Sequence, residues 1–261
     1  MASGSIEEGN GALTENSNPF ELVGDAAAAY VDVRPDYPSA AVDALLAAVG
    51  KPDVRALDLG AGTGKLTGLL LDRGIDVAAL EPSADMRLAL KQALPVLPSS
   101  RIIGTTAEAT GLSSGAFDLL TYAQSWHWLD AELASAEAAR LLEPRGVVGI
   151  LYNQMDVSIP WVKRLTRIMR SGDVHRHDRP PSLGPGFTEP ELTLIEWTDP
   201  LTPEQIRELG TTRSSYIKSS EANRAKMSEN LRWYLFDHLG FVSGDPVEIP
   251  YTTLVWIARK R

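Results

Sequence analysis

Gly60, Gly62 and Gly64 stand at alternate positions in "ALDLGAGTGKL" (residues 56–66), with Asp58 just ahead of them. An apolar run leads into the glycines and a helix-forming run follows. A glycine turn between a strand and a helix brings backbone N–H groups, and the positive end of the helix, up to a ligand. A dinucleotide fingerprint would read G-x-G-x-x-G, but here Lys65 occupies the third glycine position. Glu81 closes "VAALE", 19 residues beyond Gly62. That is close to the spacing of about 20 at which adenosine-binding folds place a ribose-binding acid. A carboxylate accepts hydrogen bonds from two hydroxyls, and its charge disfavours a 2′-phosphate. Glycines and acid together fit a nucleoside ligand that needs no pyrophosphate cradle.

Other residues could do chemistry. "SWHWLD" (125–130) offers His127, an imidazole able to serve as a general base or to pack between Trp126 and Trp128. Arg34, in "YVDVRPDYP" (30–38), carries a guanidinium fork suited to a carboxylate. His175 and His177 in "DVHRHD" lack a third ligand, so they read as a polar loop and no metal is expected. Between Pro160 and Pro180, Lys163, Arg164, Arg167, Arg170, Arg176 and Arg179 face only Asp173 and Asp178. Lys163, Arg167 and Arg170 follow i, i+4, i+7 spacing and form a cationic helix face that would attract a small anion.

The 261 residues suffice for one large domain, or a core with a small lid, and 44% hydrophobic content supports a sizeable core. A formal charge of −9 disfavours nucleic acid as a partner, and the lack of cysteine excludes disulfides and thiolate metal sites. The first residues show no basic, apolar leader, and no stretch approaches the roughly 20 apolar residues that span a bilayer. The expectation is a cytoplasmic protein with no membrane partner. Residues 1–19 are polar and read as a disordered tail.

The rest alternates short apolar runs with helical patterns. Strands are expected at 54–59, 77–80, 101–104, 117–122, 147–153, 192–197 and 251–260. Helices are expected from Pro38 to about Val49, from Gly64 to Arg73, after Ser83, and over 131–142. Thr202-Pro203-Glu204-Gln205 has capping-box spacing, and another helix is expected over 220–239. Such alternation implies an α/β, doubly wound parallel sheet. The expected organisation is a ligand-binding core over 20–154, then a lid over 155–240 that includes one core strand near 192–197. A final core strand lies within 241–261.

With these pieces the chain resembles class I S-adenosylmethionine-dependent methyltransferases, most closely the trans-aconitate methyltransferase-like branch. The resemblance runs through "YVDVRPDYP", "ALDLGAGTGKLT", "LEPSADMR", "GTTAEATGL", "FDLLTYAQSWHWLD", "RLLEPRGVVGILYN" and "YTTLVWIARK". It implies a Rossmann-like sheet of seven strands with the last one antiparallel. It also implies methyl transfer from S-adenosylmethionine to a small-molecule acceptor, with an anion such as a carboxylate favoured by the basic helix. Position by position, Asp58, Gly60, Gly62 and Gly64 would line the methionine and ribose side. Glu81 would hold the ribose, with Pro82 and Met86 nearby. Thr106, Ala107 and Glu108 would face adenine, and Ala123 and Gln124 the methionine moiety. Tyr30 and Arg34 would cover the cofactor, and His127 would be the base. Two other readings stay open: a cofactor-binding protein of this fold without transfer, and a nicotinamide oxidoreductase.

Overall fold

The computed structural model describes residues 33–171 and 175–261. The tail expected at 1–19, and Tyr30, lie outside the described residues. The first half comprises α1 (Ser39–Val49), β1 (Arg55–Leu59), α2 (Lys65–Asp72), β2 (Asp76–Leu80), α3 (Ala84–Ala93), β3 (Ile102–Ile103) and β4 (Phe117–Ala123). Then come α4 (Ala131–Leu141), β5 (Leu142–Met155), α5 (Pro160–Ile168) and β6 (Glu191–Leu201). The chain closes with α6 (Pro203–Thr211), α7 (Ser214–Ile217), α8 (Glu221–Arg232) and β7 (Val247–Arg259).

The seven strands form one sheet in the order β3-β2-β1-β4-β5-β7-β6. β1 to β5 run parallel, and β7 is antiparallel to both of its neighbours. This is the expected doubly wound α/β sheet with its last strand reversed. The chain winds one way from β1 to β3 and the other way from β4, so a crevice opens at the C-terminal ends of β1 and β4.

Side-chain alternation divides the core. Ala56, Leu119, Leu151 and Val255 face α1 and α2, where Leu45, Leu66 and Leu70 are buried. Leu57, Leu120, Ile150 and Leu254 face the opposite way, toward Ala134, Ala138 and Leu141 of α4. A third cluster joins Val162, Leu165, Ile206, Leu209 and Leu231 of the later helices to Met155, Ile249 and Tyr251 at the ends of β5 and β7. Each aliphatic side chain buried in full contributes about 1.5–3 kcal/mol, so this cluster anchors the helical layer to the sheet. α6 starts where the capping box puts it. Thr202 Oγ1 accepts from Gln205 N at 3.3 Å, and Gln205 Oε1 accepts from Thr202 N at 2.9 Å.

Some elements differ from the sequence expectation, three of them for a clear physical reason. β5 begins at Leu142, directly off α4, and a register shift between Phe117 and Leu119 absorbs the turn at Arg145, whose φ is 66°. β6 extends over 191–201, because β7 supplies a partner along its whole length. The helix expected over 220–239 stays α-helical only to Arg232; Trp233–His238 widens into a π turn, with Leu239 N–H donating to Tyr234 O at 3.0 Å. Among the described residues no helix is long and apolar enough to cross a membrane.

Candidate active site

The crevice is a cleft of about 730 Å³. Gly60 leaves β1 with φ 70° and donates its N–H to Leu80 O at 2.8 Å, tying the glycine turn to β2. Gly62 N–H then donates to Glu81 Oε2 at 2.9 Å, and Ser83 N–H to Glu81 Oε1 at 2.8 Å. Gly60, Gly62 and Glu81 all line the cleft. Glu81 is only 7% exposed. Burial pushes its carboxyl above the usual range, opposed by the two N–H donors and the nearby Arg87 guanidinium. Among the described residues a Cβ on Gly62 would meet nothing within 4 Å.

Pro82, Met86, Thr106, Ala107 and Glu108 border the cleft on the β2–β3 side. Ala123, Gln124 and His127 border it beyond β4, and Arg34 enters from the segment before α1. Gln124 adopts φ 56° and donates its side-chain amide to Asn153 O at 2.7 Å. A non-glycine residue in that region costs of order 1–3 kcal/mol and is held there only by its surroundings. Arg34 Nη2 donates to Thr212 O at 2.7 Å, which joins the start of the chain to the end of α6.

Asp58 and Gly64 are not among the described residues that border the cleft. Asp58 shares the strand face of Ala56 and therefore points under the turn toward α2. Its side chain is fully buried, and it accepts from Thr67 Oγ1 at 2.7 Å and Thr121 Oγ1 at 2.8 Å. These bonds brace β1, α2 and β4 beneath the glycine turn. Gly64 instead admits α3: a Cβ there would lie 2.8 Å from Leu94 Cδ1 and 3.0 Å from Leu90 Cγ.

Burial pushes the Asp58 carboxyl up to about 6, with the Glu81 charge adding to the rise and the threonine hydroxyls opposing it. A folded value above the unfolded one gives stability that is complete below about pH 4 and is lost as pH rises through 6. The unfolding free energy of the wild type relative to Asp58→Asn is therefore expected to fall by about 2 kcal/mol between pH 4 and pH 7.5. Urea titrations of both proteins across that range would read it, and a pH-independent difference would contradict it.

His127 is exposed at the cleft wall rather than packed between its tryptophans. Its ring centroid lies 4.8 Å from Trp128, 5.4 Å from His175 and 6.0 Å from Tyr152. Trp126 is the buried one, edge-on to Tyr122 at 4.8 Å. The basic face of Lys163, Arg167 and Arg170 is exposed and does not line the cleft. Arg213, Ser214 and Lys218, brought in by α7 and its flanks, border the cleft instead. Among the described residues the acids that line the cleft are Glu81 and Glu108, both on the β2–β3 side.

Sequence reasoning missed Arg87. Its Nη1 donates to both Glu81 O and Pro82 O at 2.8 Å, and a Cβ on Gly104 would lie 2.9 Å from its Cζ. The only signal was a basic residue in the first turn after Ser83, where a helix normally prefers an acid.

A seven-stranded sheet of this order, with a glycine turn after β1 and a buried acid after β2 on one cleft, defines the class I S-adenosylmethionine-dependent methyltransferases. A family model described as a methyltransferase domain matches residues 57–150. An uncharacterized methyltransferase of Mycobacterium tuberculosis is 39% identical over 232 residues, covering 88% of this chain and 92% of that one. One from Schizosaccharomyces pombe is 28% identical over 209 residues, covering 77% and 82%. A solved structure assigned as a type II methyltransferase from Anaeromyxobacter dehalogenans superposes with a TM-score of 0.61 at 21% identity, over 87% of this chain and 97% of that one. The chain belongs to this methyltransferase family and is an S-adenosylmethionine-dependent enzyme.

Proposed function

We propose that the enzyme methylates a small acceptor bearing an acidic group, a carboxylate in the first instance, in keeping with the trans-aconitate methyltransferase-like branch its motifs resemble. The observation that carries this reading is that Arg213 and Lys218 border the cleft, besides Arg34 and Lys65 near the glycine turn, while its acids among the described residues are Glu81 and Glu108. No carboxylate among the described residues pairs with Lys218. An acid-bearing acceptor is drawn to Arg213 and Lys218 and a cationic one is repelled.

In this reading Glu81 takes the ribose hydroxyls, Ala107 and Glu108 the adenine edge, and Gln124 and Arg34 the amino-acid end; that all of them border one cleft supports it. When bound, S-adenosylmethionine supplies a methyl carbon made electrophilic by its sulfonium. The protein's own part is alignment and exclusion of water, with residues 155–240 acting as the lid over the acceptor. Where the acceptor nucleophile carries a proton, His127 takes it; where the nucleophile is already a carboxylate, His127 shapes the wall.

A screen of small mono- and dicarboxylic acids, read by S-adenosylhomocysteine release, tests the proposal. Turnover is expected with at least one acid. With that acid, Arg213→Gln and Lys218→Gln should each raise the acceptor KM about tenfold with kcat little changed, the loss of one charge-assisted hydrogen bond. An unchanged KM in both variants would remove the anionic acceptor.

A further inference from the structure

A second cavity, of about 280 Å³, is lined by Tyr152, His175, Arg176, Arg179, Pro181 and Trp256. The sheet builds its floor. Tyr152 pairs with Leu254 and Ile150 with Trp256 across β5 and β7, so Tyr152 and Trp256 project from the same face. Each is 5% exposed. The His175 ring stacks on Tyr152 with 3.6 Å between centroids and 12° between planes. His175 N–H donates to Gln154 Oε1 at 2.9 Å, fixing that loop to β5. Flat aromatic walls around a volume this small suit one planar ring.

Charge decides the rest. Among the described residues no carboxylate lines the cavity, and two guanidiniums do. Arg176 is engaged by Asp178, with Nε donating to Oδ1 at 2.8 Å. Arg179 pairs with no carboxylate among the described residues; its backbone N–H donates to Arg176 O at 3.1 Å. A cation is repelled here, and a neutral ring leaves the fork of Arg179 to water. A carboxylate on the ring gives that fork its matching partner.

We propose that this cavity binds a small planar organic acid, its ring among the Tyr152–His175 stack and Trp256 and its carboxylate on Arg179. The site goes beyond the acceptor reading and does not depend on it. His175 and Tyr152 separate this cavity from His127 in the main cleft, at 5.4 Å and 6.0 Å between ring centroids. An occupant therefore presses on the wall that carries His127. The acid could be a separate small molecule or the far end of a long acceptor.

The probe is benzoate, titrated calorimetrically into the full-length protein with and without saturating S-adenosylhomocysteine. One-to-one saturable binding is expected in both conditions. Benzamide and cyclohexanecarboxylate should bind at least about fivefold more weakly, and Arg179→Gln should weaken benzoate about tenfold. Arg179 is exposed, so this variant should fold. Loss of benzoate binding in Arg213→Gln but not in Arg179→Gln would put the probe in the main cleft and overturn the proposal. Absence of saturable binding would overturn it as well, whatever S-adenosylhomocysteine does in the same cell. With an acceptor from the acid screen in hand, competition marks benzoate as a mimic of that acceptor's far end. Independent binding marks a separate ligand, and both outcomes support the cavity.

Discussion

Glu81→Ala is expected to weaken S-adenosylhomocysteine about a hundredfold or more while leaving the fold intact. Two hydrogen bonds from ribose hydroxyls to a carboxylate are worth roughly 1.5–3 kcal/mol each, and every 1.4 kcal/mol is a factor of ten. The substitution also strips Gly62 N–H and Ser83 N–H of their common acceptor, so the glycine turn and the start of α3 lose their link. Glu81→Gln keeps the length and one oxygen and should fall between the two. Calorimetry on the three proteins would measure this. Near-equal affinities would mean that Glu81 serves only to pin the two loops.

Gly60→Ala should be about as damaging by a different route. Its φ of 70° costs an L-residue roughly 1–2 kcal/mol. The added Cβ would also stand 2.6 Å from Ser125 Cβ. Ser125 cannot easily yield, because it is buried and its Oγ donates to Leu59 O at 2.7 Å. The turn must shift, which carries Gly62 N–H off Glu81, and a displacement near 1 Å in such a site can cost about a hundredfold. Gly74→Ala is the matched control: its φ is 72°, and a Cβ there would meet nothing within 4 Å. Both variants should lose stability in urea, but only Gly60→Ala should lose cofactor affinity. Equal affinity in the two would show that backbone strain, not the approach to Ser125, dominates.

Much of the donor side was legible in the sequence because it is local. One strand, one turn and one acid 19 residues on are enough to place Gly60, Gly62 and Glu81 on the same crevice. The bracing role of Asp58 was also signalled in the sequence. Strand parity sets it on the face of Ala56, toward α2, where Thr67 waits nine residues on. Gly64 looked like a ligand contact because the motif treats three glycines alike, whereas its neighbours are Leu90 and Leu94 of the next α/β step. The acceptor end was not legible. Arg213 and Lys218 reach the cleft through the packing of α6 and α8 against Met155 and Tyr251, contacts distant in sequence with no periodic trace. The cationic face on α5 was real as a helical stripe, but buried Val162 and Leu165 turn it to solvent. Likewise the π turn at Trp233–His238 depends on tertiary contacts. Arg164 lies 5.3 Å and 5.0 Å from the Trp233 and Tyr234 rings, and Tyr234 Oη donates to Trp161 O at 2.9 Å.

The most direct measurement is a calorimetric titration of the wild-type protein with S-adenosylhomocysteine, with NAD as the matched control. The expected result is one-to-one binding of S-adenosylhomocysteine in the micromolar range and no detectable heat from NAD. Absence of S-adenosylhomocysteine binding, or equal binding of NAD, would contradict the assignment of Gly60, Gly62 and Glu81 to an S-adenosylmethionine site.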